Sequence, residues 1–358
     1  MAAPSIAEVR AHVTVGVDTH KQSHLGRAKD ELGRTLGQLE IPTNPRGYAD
    51  LLAWARNLGQ VVAFGVEGTS SYGAGLTRFL RAQGVTVIEV LRPTRQDRRL
   101  RGKSDPTDAD AAAHAVLSGK ARAVPKAGDP SVEIIRPLRI AKVTAVKART
   151  QALNALRALV IMAPDPIRES LRDLSTAKLV TTCARYRVDA VTDPSAATKR
   201  ALRSLARRYL ALDEEVRSLN RELDTLTLRI VPQLRKRFGV GSDVAATMVL
   251  AAGDNGGRLR SEAAFSMLCG SSPIPASSGV VHRHRLNRGG DRQANAALHR
   301  IVLARLRWHE PTKAYMTRRR AEGKTKTEII RCLKRYVARE VYNVLVGPLE
   351  RTLEADAA

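Results

Sequence analysis

Cysteine is scarce in this chain. Its three thiols, Cys183, Cys269 and Cys332, are odd in number and far apart. That excludes a disulfide-stapled scaffold and a CxxC zinc site, and it suits a reducing compartment. Aromatic residues make up only 4%, too few for base-stacking platforms to dominate a binding surface. No apolar run approaches the ~18 residues of a membrane span, and the N-terminus lacks a signal-peptide core. No membrane partner is therefore expected, and the expected location is the cytoplasm. Acids are the minority charge, 35 Asp and Glu against 60 Lys and Arg, for a net charge of +25. With 43% hydrophobic residues the chain is composed to fold rather than stay disordered. A surplus this large on a folded protein implies a polyanionic partner, nucleic acid by default.

At 358 residues the chain is long enough for two or three domains. Residues 1–128 carry 18 basic and 12 acidic side chains, residues 129–230 carry 19 and 12, and residues 231–358 carry 23 and 11. The excess is spread over folded surfaces, steepest in the last third, so a basic tail does not explain it. Residues 1–128 read as an α/β domain with a partly parallel sheet. Strands are predicted at His12–Asp18, near 23–29 and 35–41, at Val61–Val66 and at Val85–Val90. Helices are predicted at Tyr48–Leu58, Ala74–Gln83 and Asp105–Leu117. Residues 129–232 read as a helical, coiled-coil region. Leu205, Tyr209, Leu212, Val216, Leu219, Leu223, Leu226 and Ile230 follow a 4-3-4-3 spacing, and Ile134–Val160 is a second amphipathic helix able to lie against them. The seam is either one side of an antiparallel intrachain hairpin or a dimerisation stalk. Residues 233–350 form a third, mostly helical region. It opens on Gly239-Val240-Gly241, a turn whose amides are able to grip a phosphate, before the apolar helix Val244–Ala252.

Four carboxylates carry the chemistry of the first domain. Asp18 ends the first strand and Glu67 the fourth, at the sheet edge where ligands of α/β folds collect. Asp105 and Asp108, three apart at a helix start, share one helical face. Four converging acids repel one another unless cations sit between them, and oxygen-only ligands favour Mg²⁺ or Mn²⁺. Each acid alone has an ordinary reading as a helix N-terminal or solvated loop residue; the joint placement makes the case. Asp110 lies outside the i, i+3 pair and reads as surface charge, while His20, His24 and His114 read as packing or hydrogen-bonding residues. Beside the acids, Arg92, Arg95, Arg98, Arg99, Arg101 and Lys103 read as a phosphate track. In the last third, Cys269–Gly279 is too rich in Ser, Pro and Gly for a helix, and Arg283, Arg285, Arg288 and Arg292 follow with a lone Asp291 among them. Such a run suits phosphate contact.

The blocks GVDTHK (Gly16–Lys21), VEGTSSYG (Val66–Gly73) and KSDPTDADAAAHA (Lys103–Ala115), with PIPASSG and RHRLNRGGDRQAN (Arg283–Asn295), resemble the DEDD transposases of insertion sequence family 110. The resemblance runs from about residue 12 to 345. It implies a RuvC-like, RNase H-type N-terminal domain whose acids are Asp18, Glu67, Asp105 and Asp108, a coiled-coil insertion, and a C-terminal transposase domain with a nucleophilic serine. The family pattern puts that serine directly before glycine, hence Ser278, with Ser277 second and Ser271 and Ser272 third. The resemblance also implies a bridge RNA that pairs with donor and target DNA, a covalent serine–DNA link, and Mg²⁺ acting in a neighbouring protomer of a dimer or tetramer. The setting it implies is bacterial, cytoplasmic and nucleoid-associated.

Two rival readings stand beside this one. A RuvC-type junction-resolving nuclease uses the same acids with water as nucleophile. A non-catalytic nucleic-acid-binding protein keeps the acids for structure alone. An actin-like sugar kinase also starts from a strand-end Asp, but the charge of +25 argues against it.

Overall fold

The computed structural model describes residues 11–91, 105–126, 130–187, 190–253, 259–277 and 284–346. The chain divides into two compact units, Met1–Gly128 and Asp129–Ala358.

The first unit is built on a five-stranded mixed sheet of β1 (His12–Thr19), β2 (Ser23–Lys29), β3 (Thr35–Pro42), β4 (Gln60–Glu67) and β5 (Val87–Val90), in the order β3-β2-β1-β4-β5. The β1–β2 and β2–β3 pairs are antiparallel, and β1–β4 and β4–β5 are parallel. Helices α1 (Pro45–Leu58) and α2 (Ala74–Ala82) supply the two crossovers. Asn44 caps α1 by accepting from the Gly47 amide, and Pro45 follows it with its φ already set for a helix. One face of the sheet packs Val13, Val15, Val17, Phe64 and Val66 against Leu51, Leu52, Leu76 and Leu80. The other face receives α3 (Asp105–Leu117), whose buried residues are Asp108, Ala109, Ala112 and Ala113.

That second interface is unusually close, for a legible reason. Gly16 and Gly65 face each other in the β1–β4 register. A methyl at Gly16 would sit 2.1 Å from the Ala109 carbonyl oxygen, and one at Gly65 would sit 2.9 Å from the Ala112 carbonyl oxygen. Glycine on the strands and alanine on the helix let backbone approach backbone. Strand alternation then fixes what lies beside this contact: Asp18 and Glu67, two residues on from the glycines, share their face of the sheet.

The second unit is mostly helical. Helix α4 (Ile135–Ile161) runs antiparallel to α7 (Pro194–Ile230), as their contacts show. Ile135 shares a core with Leu223, Arg149 pairs with Asp213 at 2.5 Å, and Leu156 shares a core with Leu202 and Ala206. Short helices α5 (Asp165–Leu171) and α6 (Thr176–Ala184) close the Leu156 end. The 4-3-4-3 seam expected on α7 is thus used within the chain, but rotated. Leu202, Ala206, Val216, Leu223 and Thr227 are buried, while Leu205, Leu212, Leu219 and Leu226 are half-buried. Beyond it come α8 (Ser242–Ala252), α9 (Glu262–Leu268), α10 (Arg292–Trp308), α11 (Glu310–Ala321) and α12 (Lys326–Leu345), with a two-stranded ribbon of β6 (Ile274–Pro275) and β7 (His284–Arg285). Helix α8 is buried from Val244 to Ala252, as a run with no charge should be, and sits in the core of this bundle. Among the described residues no helix is long and apolar enough to cross a membrane.

Candidate active site

The acids meet at one edge of the mixed sheet. Val17 pairs with Val66, so Asp18 and Glu67 follow side by side on adjacent parallel strands. The glycine contact lays α3 over this edge, and Asp105 stands one turn before Ala109. Ligand atoms of Asp18, His20 and Asp105 all lie within 4.8 Å of one another. The His20 Nε2 is 3.1 Å from Asp18 Oδ2 and 3.3 Å from Asp105 Oδ1. Glu67 and Asp108 stand outside that tight set but are buried beside it, at 6% and 8% exposure. The Thr19 hydroxyl donates to the Glu67 carbonyl at 3.1 Å and ties the two strand ends together. Burial pushes the Asp18 carboxyl above the usual range; His20 pulls it down, and Asp105 and Asp108 push it up again. A buried carboxylate crowded by like charges is a site short of positive charge. Oxygens and one imidazole suit a divalent ion, Mg²⁺ or more readily Mn²⁺.

In the second unit two stretches of sequence are locked together. Ile274 pairs with Arg285 and Pro275 with His284, so Ser277, exposed, lies on the connection just past β6. Gly290 passes so near Gly270 that a methyl on it would lie 2.3 Å from the Gly270 nitrogen. Asp291 caps α10, accepting from the Gln293 and Ala294 amides, and its own amide donates to the Leu268 carbonyl at 2.6 Å. Asn295 donates to the carbonyls of Cys269 and Gly270 at 2.8 and 3.0 Å, and accepts from Lys334 Nζ at 2.6 Å. The base of the serine loop is therefore held from α10 and α12.

Comparison with known proteins matches both regions. A DEDD transposase model of the IS110 type covers residues 15–162. A second, described as Transposase IS116/IS110/IS902 family, covers residues 232–317. The chain belongs to the IS110 family of transposases. It is 31% identical over 135 residues to the 43.6 kDa protein of insertion element IS110 from Streptomyces coelicolor. That alignment takes in 37% of this chain and 33% of the relative, so the chain spans about a third of the length of the curated relative it matches.

Ser278, Arg283 and the basic run Arg92, Arg95, Arg98, Arg99, Arg101 and Lys103 lie outside the described residues. Of the C-terminal arginines, Arg285, Arg288 and Arg292 line one groove. Gly239 adopts φ +81°, and a methyl on it would sit 3.2 Å from the Ile301 carbonyl oxygen, so this turn packs closely on α10. The Val240 amide is taken by the Arg237 carbonyl. The adjoining α8 N-terminus already holds the Asp243 carboxylate, itself paired with Lys142 and Arg300.

Two residues do more than their sequence context suggested. Asp110 is not merely surface charge: it pairs with Lys29 at 2.8 Å and Arg27 at 3.3 Å, and Arg27 also donates to the Pro106 carbonyl. These bonds tie the first turns of α3 to β2, and Lys29 and Arg27 on the facing strand were the signal available. His20 hydrogen-bonds as expected, but between two of the acids, which its place two residues after Asp18 in β1 foreshadows. His24 is a packing residue, fully buried and stacked on Tyr48 at 5.9 Å.

Proposed function

We propose that the protein is an insertion-sequence transposase that cuts and rejoins DNA through a serine-linked intermediate, with the acidic edge of the first unit as its divalent-metal centre. The observation that carries the reading is the meeting of Asp18 and Asp105 beside Glu67 and Asp108 at one sheet edge of an IS110-family chain. The strand order β3-β2-β1-β4-β5, antiparallel then parallel, supports a RuvC-like, RNase H-type assignment. In this reading Asp18, Glu67, Asp105 and Asp108 hold Mg²⁺ or Mn²⁺. When bound, such an ion supplies charge stabilisation to phosphate oxygens during transfer.

The chain's own residues do the rest. The Ser278 oxygen, or that of Ser277, attacks phosphorus; the serine–phosphorus bond forms as the phosphorus–deoxyribose oxygen bond breaks. The leaving oxygen takes a proton, and the serine proton passes to solvent. The phosphoserine keeps one phosphoester bond for another, so rejoining needs no external energy source. Arginines near the serine loop hold the phosphates. Sequence choice falls to a structured guide RNA, in keeping with a basic, aromatic-poor chain suited to backbone contacts. The working form is a homo-oligomer, dimer or tetramer.

The test combines protein, the candidate flanking RNA, donor and target DNA and Mg²⁺, followed by a denaturing gel for protein-linked DNA. An adduct from wild type, lost in Ser278→Ala and in Asp105→Asn but kept in Ser277→Ala, is the expected result. Cleavage with no adduct in any variant gives the chain to the water-using nuclease.

A further inference from the structure

The last helix lies beyond both family matches, the second of which ends at residue 317, yet it forms a wall of the groove beside the serine loop. Helix α12 buries Ile329, Leu333, Val337, Ala338 and Val341 in the bundle core. Its positions 331, 334 and 335, spaced i, i+3 and i+4, lie along a groove of about 1060 Å³. The opposite wall is Gly270–Pro273 together with His284–Arg292.

The charges of this groove are one-sided. Arg335 and Arg339 share the single carboxylate of Glu262, each at 2.6 Å, and Lys334 donates to the neutral Asn295 amide oxygen. Arg285, Arg288, Arg292, Lys324 and Arg331 have no ion pair among the described residues. Glu328 is the only acid on the wall, and its carboxylate is engaged in the cap of α12 with Thr325. Five cations without an ion pair, facing one acid, make a field around this concavity that polyanions fill. At the rim Tyr336 is 53% exposed, its ring held edge-on against Tyr315 at 5.7 Å. Cations spaced for a backbone beside one fixed ring are the elements of a single-strand site.

We infer that this groove seats an unpaired DNA strand at the serine loop, with Lys324 and Arg331 on backbone phosphates and Tyr336 under a base. That the seated strand is the one cut rests on the function proposed above; that the groove binds a strand does not. Cys332 lines the groove and is half-buried, whereas Cys183 and Cys269 are buried, their thiols pushed up to about 11 and about 12 by burial. Cys332 is thus the thiol a maleimide reaches, and Cys332→Ser identifies its signal.

The experiment uses the full chain and a dT 12-mer. The oligonucleotide is expected to protect Cys332 from maleimide. Lys324→Ala and Arg331→Ala are each expected to lower the salt slope by about 0.7 and to weaken binding about fivefold at 0.1 M salt. Tyr336→Ala is expected to weaken binding at least fivefold with the slope unchanged. Arg172→Ala, an exposed cation on α5's end paired with Glu169, is expected to change neither. Unprotected Cys332 under saturating oligonucleotide, or wild-type affinity and slope in the Lys324, Arg331 and Tyr336 triple variant, overturns the inference. Stronger protection by an rU 12-mer overturns the DNA assignment in favour of RNA. Protection without any adduct on the denaturing gel leaves the groove standing and removes the serine chemistry instead.

Discussion

Alanine at position 16 probes how the proposed metal centre is assembled. Its methyl would lie 2.1 Å from the Ala109 carbonyl oxygen and 2.2 Å from the Ala113 nitrogen. Ordinary carbon–oxygen contact is roughly 3.3 Å, so α3 must retreat by about 1.2 Å. Both opposing atoms are backbone, so no side-chain truncation on α3 relieves the clash. Asp105 rides one turn away on the same helix and moves off Asp18 with it. Mg²⁺ demands oxygens at about 2.0–2.1 Å in near-ideal geometry, and a shift of half that length breaks the set. The packing cost is about 1–3 kcal/mol, survivable for a unit whose stability is of order 5–15 kcal/mol. We expect Gly16→Ala to stay folded, to melt on the order of 10 °C lower, and to bind Mn²⁺ at least tenfold more weakly by calorimetry. DNA cleavage should fall about 100-fold, the usual consequence of a 1 Å misplacement, with oligonucleotide binding intact. Wild-type melting and wild-type Mn²⁺ affinity in this variant would refute the packing argument.

Other outcomes follow from the same geometry. Gly290→Ala drives a methyl into the Gly270 backbone, and we expect about 1–3 kcal/mol lost and adduct formation abolished; normal adduct yield contradicts the locking of the loop. Adding 10 mM Mn²⁺ should raise wild-type stability by about 1.4 kcal/mol for a Kd near 1 mM, and Asp105→Asn should remove that gain in thermal melts. Glu262 is held down to about 2 by hydrogen bonds from Arg335 and Arg339. A depressed carboxyl stabilises the folded state above its unfolded value near 4.5, and that stability drains as pH falls towards 2. Screening at this partly exposed cluster limits the effect to about 1 kcal/mol at pH 7. Glu262→Gln should therefore melt lower than wild type at neutral pH and equal it near pH 2.

The first unit was legible because its signals are local. Apolar runs of β-branched residues ended in acids, Asn44-Pro45 announced a helix, and the five strands and three helices stand within a few residues of their expected places. What periodicity could not give was which glycine faces which helix; Gly16 looks like any motif glycine until α3 is laid on it. The α7 seam shows the limit differently. Two heptad frames share Tyr209, Val216 and Leu223, and only the partner helix decides that the Leu202–Ala206 side turns inward. Asp110 misled because its partners, Lys29 and Arg27, lie some 80 residues earlier in the chain. The groove wall on α12 was missed because its cations are spaced as on any solvated helix, and only the opposite wall gives them a common focus.

The antiparallel pair of α4 and α7 is also a ruler. Between the core at Ile135 and the core at Leu156 it marks off 21 helical residues, about 32 Å at 1.5 Å per residue. Both ends are packed by separate hydrophobic clusters, while the middle is tied by Arg149 and Asp213. Adding seven residues to each helix would preserve every inward-facing position and lengthen the span by about 10.5 Å. An insertion of two or five residues would rotate one core out of register with the other. The reach of this arm is therefore quantised, and relatives that need a longer or shorter one should differ by near-whole turns, in steps such as seven or eleven residues, matched on both strokes.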